Sequence, residues 1–326
     1  MSSFSFSKLI PGGNATIILT DPDMEPACLP AVSARLMDPM HIQAEQVGAL
    51  YGAGLAPAAL PGVQSDLPHL QMMGGEFCVN ATRSAALLLA RQGAFVRLNL
   101  PESRHEAWTG ALTVSGMDGP VPTLAASDAE SLEEALRVVS AGSVRATSEK
   151  NVSVPATATL LYCAARIDCA APGVSCVEQD PGVTLVTMPG IQHLLVDIAL
   201  NSLPDLLSPA WKATSAVWRA RCGLAGSPAS GVIWYEHLDK GYRIWPAVEV
   251  AATGSEHLET ACGSASLAMA LMHRLTNGGA GDKKTPAAAD ILQPSGETLR
   301  VFMEPRSDRA WIAGPVHLVV QGTAYL

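Results

Sequence analysis

The chain has 326 residues, of which 48% are hydrophobic and 16% charged, and its net charge is −9. This hydrophobic content excludes intrinsic disorder, and the length suggests two domains or one duplicated domain. The acidic charge disfavours nucleic acid and anionic membrane surfaces as partners. No apolar run reaches the roughly 20 residues that span a bilayer, and the first residues lack a signal-peptide pattern, so we expect a cytoplasmic protein.

Short apolar or alternating runs bounded by Gly, Pro, Asn or Asp predict strands along the whole chain. The predicted strands are 15–19, 94–98, 158–165, 183–188, 193–198, 231–235, 247–251, 299–303 and 316–321. Ala- and Leu-rich segments that begin with Asn or Ser predict helices at 80–92, 131–140 and 264–275. We therefore expect an α+β fold.

Two of the predicted helices begin with similar motifs. Residues 78–82 read Cys-Val-Asn-Ala-Thr, and residues 262–266 read Cys-Gly-Ser-Ala-Ser. The two cysteines lie more than half the chain length apart, and each leads directly into its helix. This likeness indicates a weak internal duplication, with one cysteine at the start of the central helix of each half.

A cysteine at a helix start is suited to acid–base chemistry, because the unpaired N–H groups and the helix dipole favour the thiolate. Two such thiols on opposite sides of one carbon can invert it, since a thiolate removes a proton from one face while a thiol donates one to the other. The same helix starts can bind a carboxylate. The alternative is that Cys78 and Cys262 only pack in the core, as we expect of Cys28, Cys163, Cys169, Cys176 and Cys222.

An odd number of cysteines at irregular spacing argues against a disulfide framework. The sequence has no Cys-x-x-Cys, His-x-x-x-His or HExxH spacing, so we expect no metal. The proton exchange outlined above requires no cofactor, and we expect none.

The cysteine motifs resemble those of the diaminopimelate epimerase-like superfamily of cofactor-independent amino-acid racemases and epimerases. The resemblance includes residues 78–83 and 261–264, residues 6–14 with their Gly-Gly-Asn turn, Met-Pro-Gly-Ile-Gln-His at 188–193 and Gly-Pro-Val at 314–316. It therefore extends over nearly the whole chain. It implies two similar, pseudo-symmetric α/β domains, each a mixed or antiparallel sheet wrapped around a central helix. We expect an N-terminal domain of residues 1–121 plus 312–326 and a C-terminal domain of residues 122–311.

The resemblance implies that Cys78 and Cys262 are the catalytic residues. The candidate substrate-binding residues beside them are Asn14, Gln46, Val79, Asn80, Glu259, Gly263 and Ser264. We interpret Asn80 and Ser264 as helix N-caps whose backbone N–H groups are the functional ones. Three of these residues also have a structural interpretation. Asn14 can form the turn, Gln46 can lie on an exposed helix face, and Glu259 can pair with its helix start. We expect Thr82, Arg83 and Ser266 to support the helix starts, and His193 to be a structural histidine.

The departures from the superfamily concern the substrate. Diaminopimelate epimerases carry a Glu-Arg pair shortly before the second cysteine, whereas residues 250–259 contain no arginine. Without that guanidinium, the second carboxylate of diaminopimelate lacks a bidentate donor, so we do not expect that substrate. Val79 also stands where the superfamily usually has glycine. Residues 74–83 are more similar to the histidine racemases of metallophore pathways, so we expect histidine or another α-amino acid.

Two alternatives to a racemase stay open. One is an isomerase of an unsaturated or hydroxylated carboxylic acid on the same fold, which needs only one effective thiol. The other is a carboxylate-binding protein without catalysis, although binding alone does not need thiols. A homodimer is also open.

Overall fold

The computed structural model describes residues 3–20, 24–52, 66–102, 104–142, 154–155, 157–169, 174–188, 190–251, 255–277, 287–304 and 307–326. The α-helices in these ranges are α1 (Leu29–Met37), α2 (Val79–Arg91), α3 (Ala129–Ser140), α4 (Ala210–Arg221) and α5 (Gly263–Asn277). The strands are β1 (Ser3–Pro11), β2 (Thr16–Leu19), β3 (Gln46–Tyr51), β4 (His69–Met72), β5 (Val96–Arg97), β6 (Ala107–Val114), β7 (Pro120–Ala126), β8 (Leu160–Asp168), β9 (Ser175–Asp180), β10 (Val183–Met188), β11 (Ile191–Asp197), β12 (Ala229–His237), β13 (Tyr242–Val250), β14 (Ser255–Leu258), β15 (Ala287–Leu292), β16 (Thr298–Met303) and β17 (Arg309–Tyr325). Pro189, part of the motif at 188–193, lies outside the described residues.

The chain divides into two compact units. Unit 1 consists of Met1–Arg166 and Ala313–Leu326, and unit 2 consists of Ile167–Ile312. The first break therefore follows Arg166, whereas the sequence-based boundary lies after residue 121, inside β7. The reason for this difference is strand pairing. β7 pairs with β6 on one side and β8 on the other, and α3 packs on β6 and β7, so all of these elements stay with unit 1.

In unit 1, a ring of strands surrounds α2. β1 pairs antiparallel with β17 and β2, β2 runs parallel to β3, and β3 is antiparallel to β4. β4 runs parallel to β6, β6 pairs antiparallel with β5 and β7, β7 is antiparallel to β8, and β8 pairs with β17. α2 packs against β1, β2, β3, β6 and β7, and residues 79–90 are all buried. A helix rich in Ala and Leu on every face suits a position enclosed by strands.

Unit 2 repeats this arrangement around α5. β10 pairs antiparallel with β9 and β11, β11 runs parallel to β12, and β12 is antiparallel to β13. β13 pairs with β14 and β15, and β15 is antiparallel to β16. α5 packs against β9, β10, β11, β15 and β16, and residues 265–272 are all buried. The predicted fold class, with a mixed sheet around a central helix in each half, is confirmed.

Candidate active site

Helix α2 begins one residue earlier than predicted, and Cys78 is its N-cap. Cys78 has an extended backbone, and its Sγ accepts a hydrogen bond from the backbone N–H of Ala81 at 3.4 Å. The Thr82 hydroxyl donates to the carbonyl of Cys78 at 2.8 Å, which confirms the expected supporting role of Thr82. The prediction that Asn80 is the N-cap is wrong, because the sulfur takes the N–H that a capping side chain accepts. Asn80 lies inside the helix and accepts from Arg83 at 3.4 Å.

Helix α5 begins in the same way at Cys262. Its Sγ accepts from the N–H of Ala265 at 3.4 Å, and the Ser266 hydroxyl donates to the carbonyl of Cys262 at 2.8 Å. These distances equal those at the start of α2. The prediction that Ser264 is the N-cap is wrong for the same reason, since the helix begins at Gly263. The Ser264 hydroxyl lies in the first turn, 3.3 Å from the Cys262 sulfur.

Val79 and Gly263 occupy the equivalent first positions of the two helices, and both are buried. Val79 lacks a positive φ, so valine replaces glycine here without backbone strain. Neither residue has a polar side chain, so the backbone N–H is the one polar donor that each offers to a ligand.

In unit 1, the thiol of Cys78 contacts a neutral amide. Its Sγ donates to Oε1 of Gln46, the first residue of β3, at 2.7 Å. Cys78 is partly exposed. An amide oxygen accepts the thiol proton without placing a formal negative charge beside the sulfur.

Asn14 orders the segment that carries Gln46. It follows Gly12 and Gly13, whose φ values of 72° and 110° form the turn between β1 and β2. The buried Asn14 amide donates to the Glu45 carboxylate at 2.9 Å and accepts from the Thr16 hydroxyl at 3.1 Å. The Gly-Gly-Asn turn is thus connected to the residue that precedes Gln46.

In unit 2, the thiol of Cys262 contacts a carboxylate. Burial raises the pKa of Cys262 well above its ordinary value, and the negative charge of Glu259, to which the thiol is hydrogen-bonded, raises it further. Hydrogen bonds from Ser264 and from the N–H of Ala265 act in the opposite direction. Because burial and a neighbouring carboxylate both disfavour a thiolate, Cys262 holds its proton at neutral pH.

Ser264 also connects Cys262 to a buried histidine. His193 in β11 places Nε2 2.9 Å from the Ser264 hydroxyl, and among the described residues Nδ1 has no hydrogen-bond partner. Burial lowers the pKa of His193 to about 3, so the ring is neutral at physiological pH. Gly231 in β12 leaves the space for it, because a Cβ there would lie 2.3 Å from Nδ1. A neutral imidazole that positions a hydroxyl fits the structural role favoured for His193.

Gln293, which follows β15, is a site residue that the sequence does not reveal. Its Oε1 accepts from the backbone N–H of Cys262 at 2.9 Å, and its Nε2 donates to the Ser266 hydroxyl and to the carbonyl of Ile291, both at 3.0 Å. It therefore fixes the start of α5 against the end of β15. The turn motif Gln-Pro-Ser-Gly at 293–296 is the signal available in the sequence, and it does not distinguish this role.

The described residues contain neither a metal-binding cluster nor a membrane-spanning helix. They hold no cluster of three or more His, Cys, Asp or Glu side chains arranged for a metal ion. None of their helices combines the length and apolar character needed to cross a membrane. Burial raises the pKa of both Cys163 and Cys169 to about 12, so these two thiols stay protonated at neutral pH.

Comparison with known proteins supports the predicted superfamily. Residues 3–161 match the family described as histidine racemase CntK N-terminal domain. The chain is 26% identical to the histidine racemase of Fusobacterium nucleatum subsp. nucleatum over 98% of this chain and 97% of that protein. The chain is thus similar to cofactor-independent amino-acid racemases and epimerases along nearly its whole length. The predicted resemblance to this superfamily is confirmed, and the protein is an isomerase.

Solved structures agree with this assignment at the level of the fold. A phenazine biosynthesis protein of the PhzF family from Bacillus anthracis has a TM-score of 0.57 and 12% identity, with both chains covered completely. A hydroxyproline epimerase from Agrobacterium vitis has a TM-score of 0.55 and 10% identity, covering 99% of this racemase and 93% of that chain. At these identities the similarity concerns the fold alone.

Proposed function

We propose that this racemase inverts the α-carbon of histidine, with Cys78 and Cys262 as its two acid–base groups. The repeated cap carries the proposal, because each sulfur accepts from the N–H three residues later at 3.4 Å. Packing alone gives no reason for a cysteine at both equivalent helix starts. Histidine as the substrate is supported by the matching family and by the relative that is similar over its full length.

The proposed reaction moves protons and leaves oxidation states unchanged. One sulfur, as thiolate, removes the Cα proton and becomes a thiol, and the electron pair left at Cα delocalises into the substrate carboxylate. The other sulfur, as thiol, donates its proton to the opposite face of Cα and becomes a thiolate. The product has the inverted configuration, and the two sulfurs have exchanged charge. The reverse reaction uses the same groups in exchanged roles.

The substrate carboxylate is expected to bind the backbone N–H groups of the two helix starts. Val79 and Asn80 begin α2, and Gly263 and Ser264 begin α5. N–H groups of a first turn have no intrahelical acceptor and lie at the positive end of the helix dipole. They stabilise a carboxylate, and they stabilise it more strongly when the deprotonated carbon adds electron density to it.

Deuterium exchange tests this proposal. The protein is incubated with L-histidine in D₂O, while Cα deuteration is followed by NMR and racemisation by loss of optical rotation. We expect the wild type to do both, and both Cys78→Ala and Cys262→Ala to lose racemisation by about 10³-fold or more. Cys222→Ala is the matched control, because Cys222 is the C-cap of α4 and should be dispensable.

Three outcomes would contradict the proposal in different ways. Full racemisation by either helix-start variant removes the two-thiol mechanism. Isomerisation of an unsaturated or hydroxylated carboxylic acid that needs only one of the two cysteines supports that alternative activity instead. Faster racemisation of another L-amino acid keeps the mechanism and replaces histidine as the substrate.

A further inference from the structure

Arg83 in helix α2 is a fully buried cation, with 0% of its surface exposed. Its Nε donates to the carbonyl of Cys163 at 3.1 Å, one Nη to Oδ1 of Asn80 at 3.4 Å, and the other Nη to the carbonyl of Pro315 at 3.0 Å. All three of these acceptors are neutral. The carbonyl of Pro315 also accepts from the N–H of Gly12 at 3.0 Å, so Arg83 joins the start of α2 to the glycine turn and to β8.

A buried charge is costly unless an opposite charge compensates it. Burial lowers the pKa of Arg83 to about 10, while negative charge on Cys163 and on Cys78 would raise it. Arg83 is thus still a cation at neutral pH. Cys163 is itself protonated, since burial raises its pKa to about 12. Of these two sulfurs, Cys78 is therefore the one that can supply the compensating negative charge.

The two side chains at the start of β3 do not supply the negative charge that would compensate Arg83. Gln46 carries no charge: its Oε1 accepts from the neutral thiol at 2.7 Å, and a thiolate at Cys78 requires this amide to turn its N–H toward the sulfur. Glu45, the carboxylate next to it, accepts from the Asn14 amide and from the backbone N–H of Ala15.

Unit 2 has the opposite electrostatic arrangement. In the repeat, the residue five positions after the cysteine is Arg83 in unit 1 and the buried Leu267 in unit 2. Cys262 instead contacts the carboxylate of Glu259. One sulfur has a buried cation behind its helix start, and the other has an anion beside its thiol.

We propose that Arg83 is a positioning residue that fixes the resting charge state of the site, with the thiolate at Cys78 and the proton at Cys262. In the proposed racemisation, the free enzyme then starts with Cys78 as base and Cys262 as acid. After one inversion the charges are exchanged, and one proton must pass from Cys78 to Cys262 through solvent before the resting state returns. The proposal rests on the two-thiol reaction for its meaning, while the charge of each cysteine is measurable without substrate.

Thiolate absorbance in the ultraviolet tests the order of ionisation in the protein without histidine. The wild type, Cys78→Ser and Cys262→Ser are titrated from about pH 5 to about pH 10. We expect the thiolate that forms at the lower pH to disappear in Cys78→Ser and to remain in Cys262→Ser. Loss of this step in Cys262→Ser instead, or from neither variant, overturns the proposal.

Variants of Arg83 test whether its positive charge favours the thiolate of Cys78. The alkylation rate of Cys78 by iodoacetamide is measured against pH and resolved by peptide mass spectrometry. We expect Arg83→Met to lower the rate at neutral pH about tenfold or more, corresponding to a midpoint at least one unit higher. Arg83→Lys keeps the charge and should restore most of the rate. Arg91→Met removes the same charge from the last turn of α2 and should leave the profile unchanged.

A folding defect in Arg83→Met can be distinguished from a failure of the proposed role of Arg83. An unchanged Cys78 profile in folded Arg83→Met overturns the proposal. If Arg83→Met does not fold, the titration of the two cysteine variants still decides the resting charge state. Neither measurement involves histidine, so failure of the proposed substrate leaves both results valid.

Discussion

The start of α2 and the start of α5 have the same backbone arrangement and different electrostatic surroundings. At both, the cysteine sulfur caps the helix at 3.4 Å and a hydroxyl four residues later donates to the cysteine carbonyl at 2.8 Å. At α2 the thiol contacts the amide of Gln46, whereas at α5 it contacts the carboxylate of Glu259. The two helix starts therefore share the backbone geometry that positions a thiol. They differ in the neighbouring side chain, and that side chain sets how readily each thiol ionises. In a two-thiol reaction this asymmetry favours one starting state, with one sulfur as proton acceptor and the other as proton donor.

Removing the charge of Glu259 should have the largest effect on activity. Glu259→Gln keeps the size and removes the anion, and Gln46→Ala is the counterpart in unit 1. We expect Glu259→Gln to lower kcat/KM about 100-fold for both enantiomers of histidine, because the equilibrium constant ties the two directions together. Gln46→Ala should cost about tenfold, since it removes a neutral acceptor only.

The pH–rate profile of Glu259→Gln shows in which direction Glu259 shifts the pKa of Cys262. The negative charge of Glu259 raises the pKa of Cys262, so its removal should lower that pKa. The limb of the pH–rate profile that reports Cys262 should therefore move to lower pH in Glu259→Gln. A limb that moves to higher pH, or equal losses in Glu259→Gln and Gln46→Ala, would refute the assigned asymmetry.

Filling the space beside His193 should affect stability next most strongly. In Gly231→Ala, the new Cβ would meet Nδ1 at 2.3 Å and Cε1 at 2.8 Å, so the ring must move away from Ser264. We expect a loss of about 1–3 kcal/mol in the free energy of unfolding, measured by denaturant titration. Gly322→Ala in β17 is the control, because its nearest neighbour lies at an ordinary 3.7 Å. Equal stability of the two variants would show that His193 does not fill the space as described.

Removing the hydroxyls of Thr82 and Ser266 should give the smallest difference between the two helix starts, measured as unfolding free energy. Thr82→Val removes one hydrogen bond and should cost about 0.5–1.5 kcal/mol of unfolding free energy. Ser266→Ala should cost about 1–3 kcal/mol, because it also leaves an N–H of the buried Gln293 amide without its acceptor. Thermal and denaturant unfolding measure both. A larger loss in Thr82→Val than in Ser266→Ala would contradict the role given to Gln293.

Helices with a clear apolar pattern in the sequence were predictable, and a helix whose buried stripe is mostly polar was not. The segments predicted at 80–92 and 264–275 correspond to α2 and α5 because their Ala and Leu content is itself a helix signal. α4 was not predicted, because its buried stripe is Trp211, Ser215 and Arg219, in which two of three residues are polar. The prediction at 94–98 reduces to Val96–Arg97 in β5, since only these two residues pair with β6. The expected cytoplasmic location, homodimer and lack of a nucleic-acid partner stay predictions.

The sequence by itself determined that two cysteines stand before two Ala- and Leu-rich helices in a duplicated chain, because helix propensity, capping and repetition are local properties. Only the tertiary structure decided what each sulfur meets. Gln46, His193 and Gln293 reach the helix starts because strands far apart in the chain pair around them. Burial, which keeps the proton on Cys262 and confines the charge of Arg83, likewise depends on how those strands enclose each helix and is not written in any short segment.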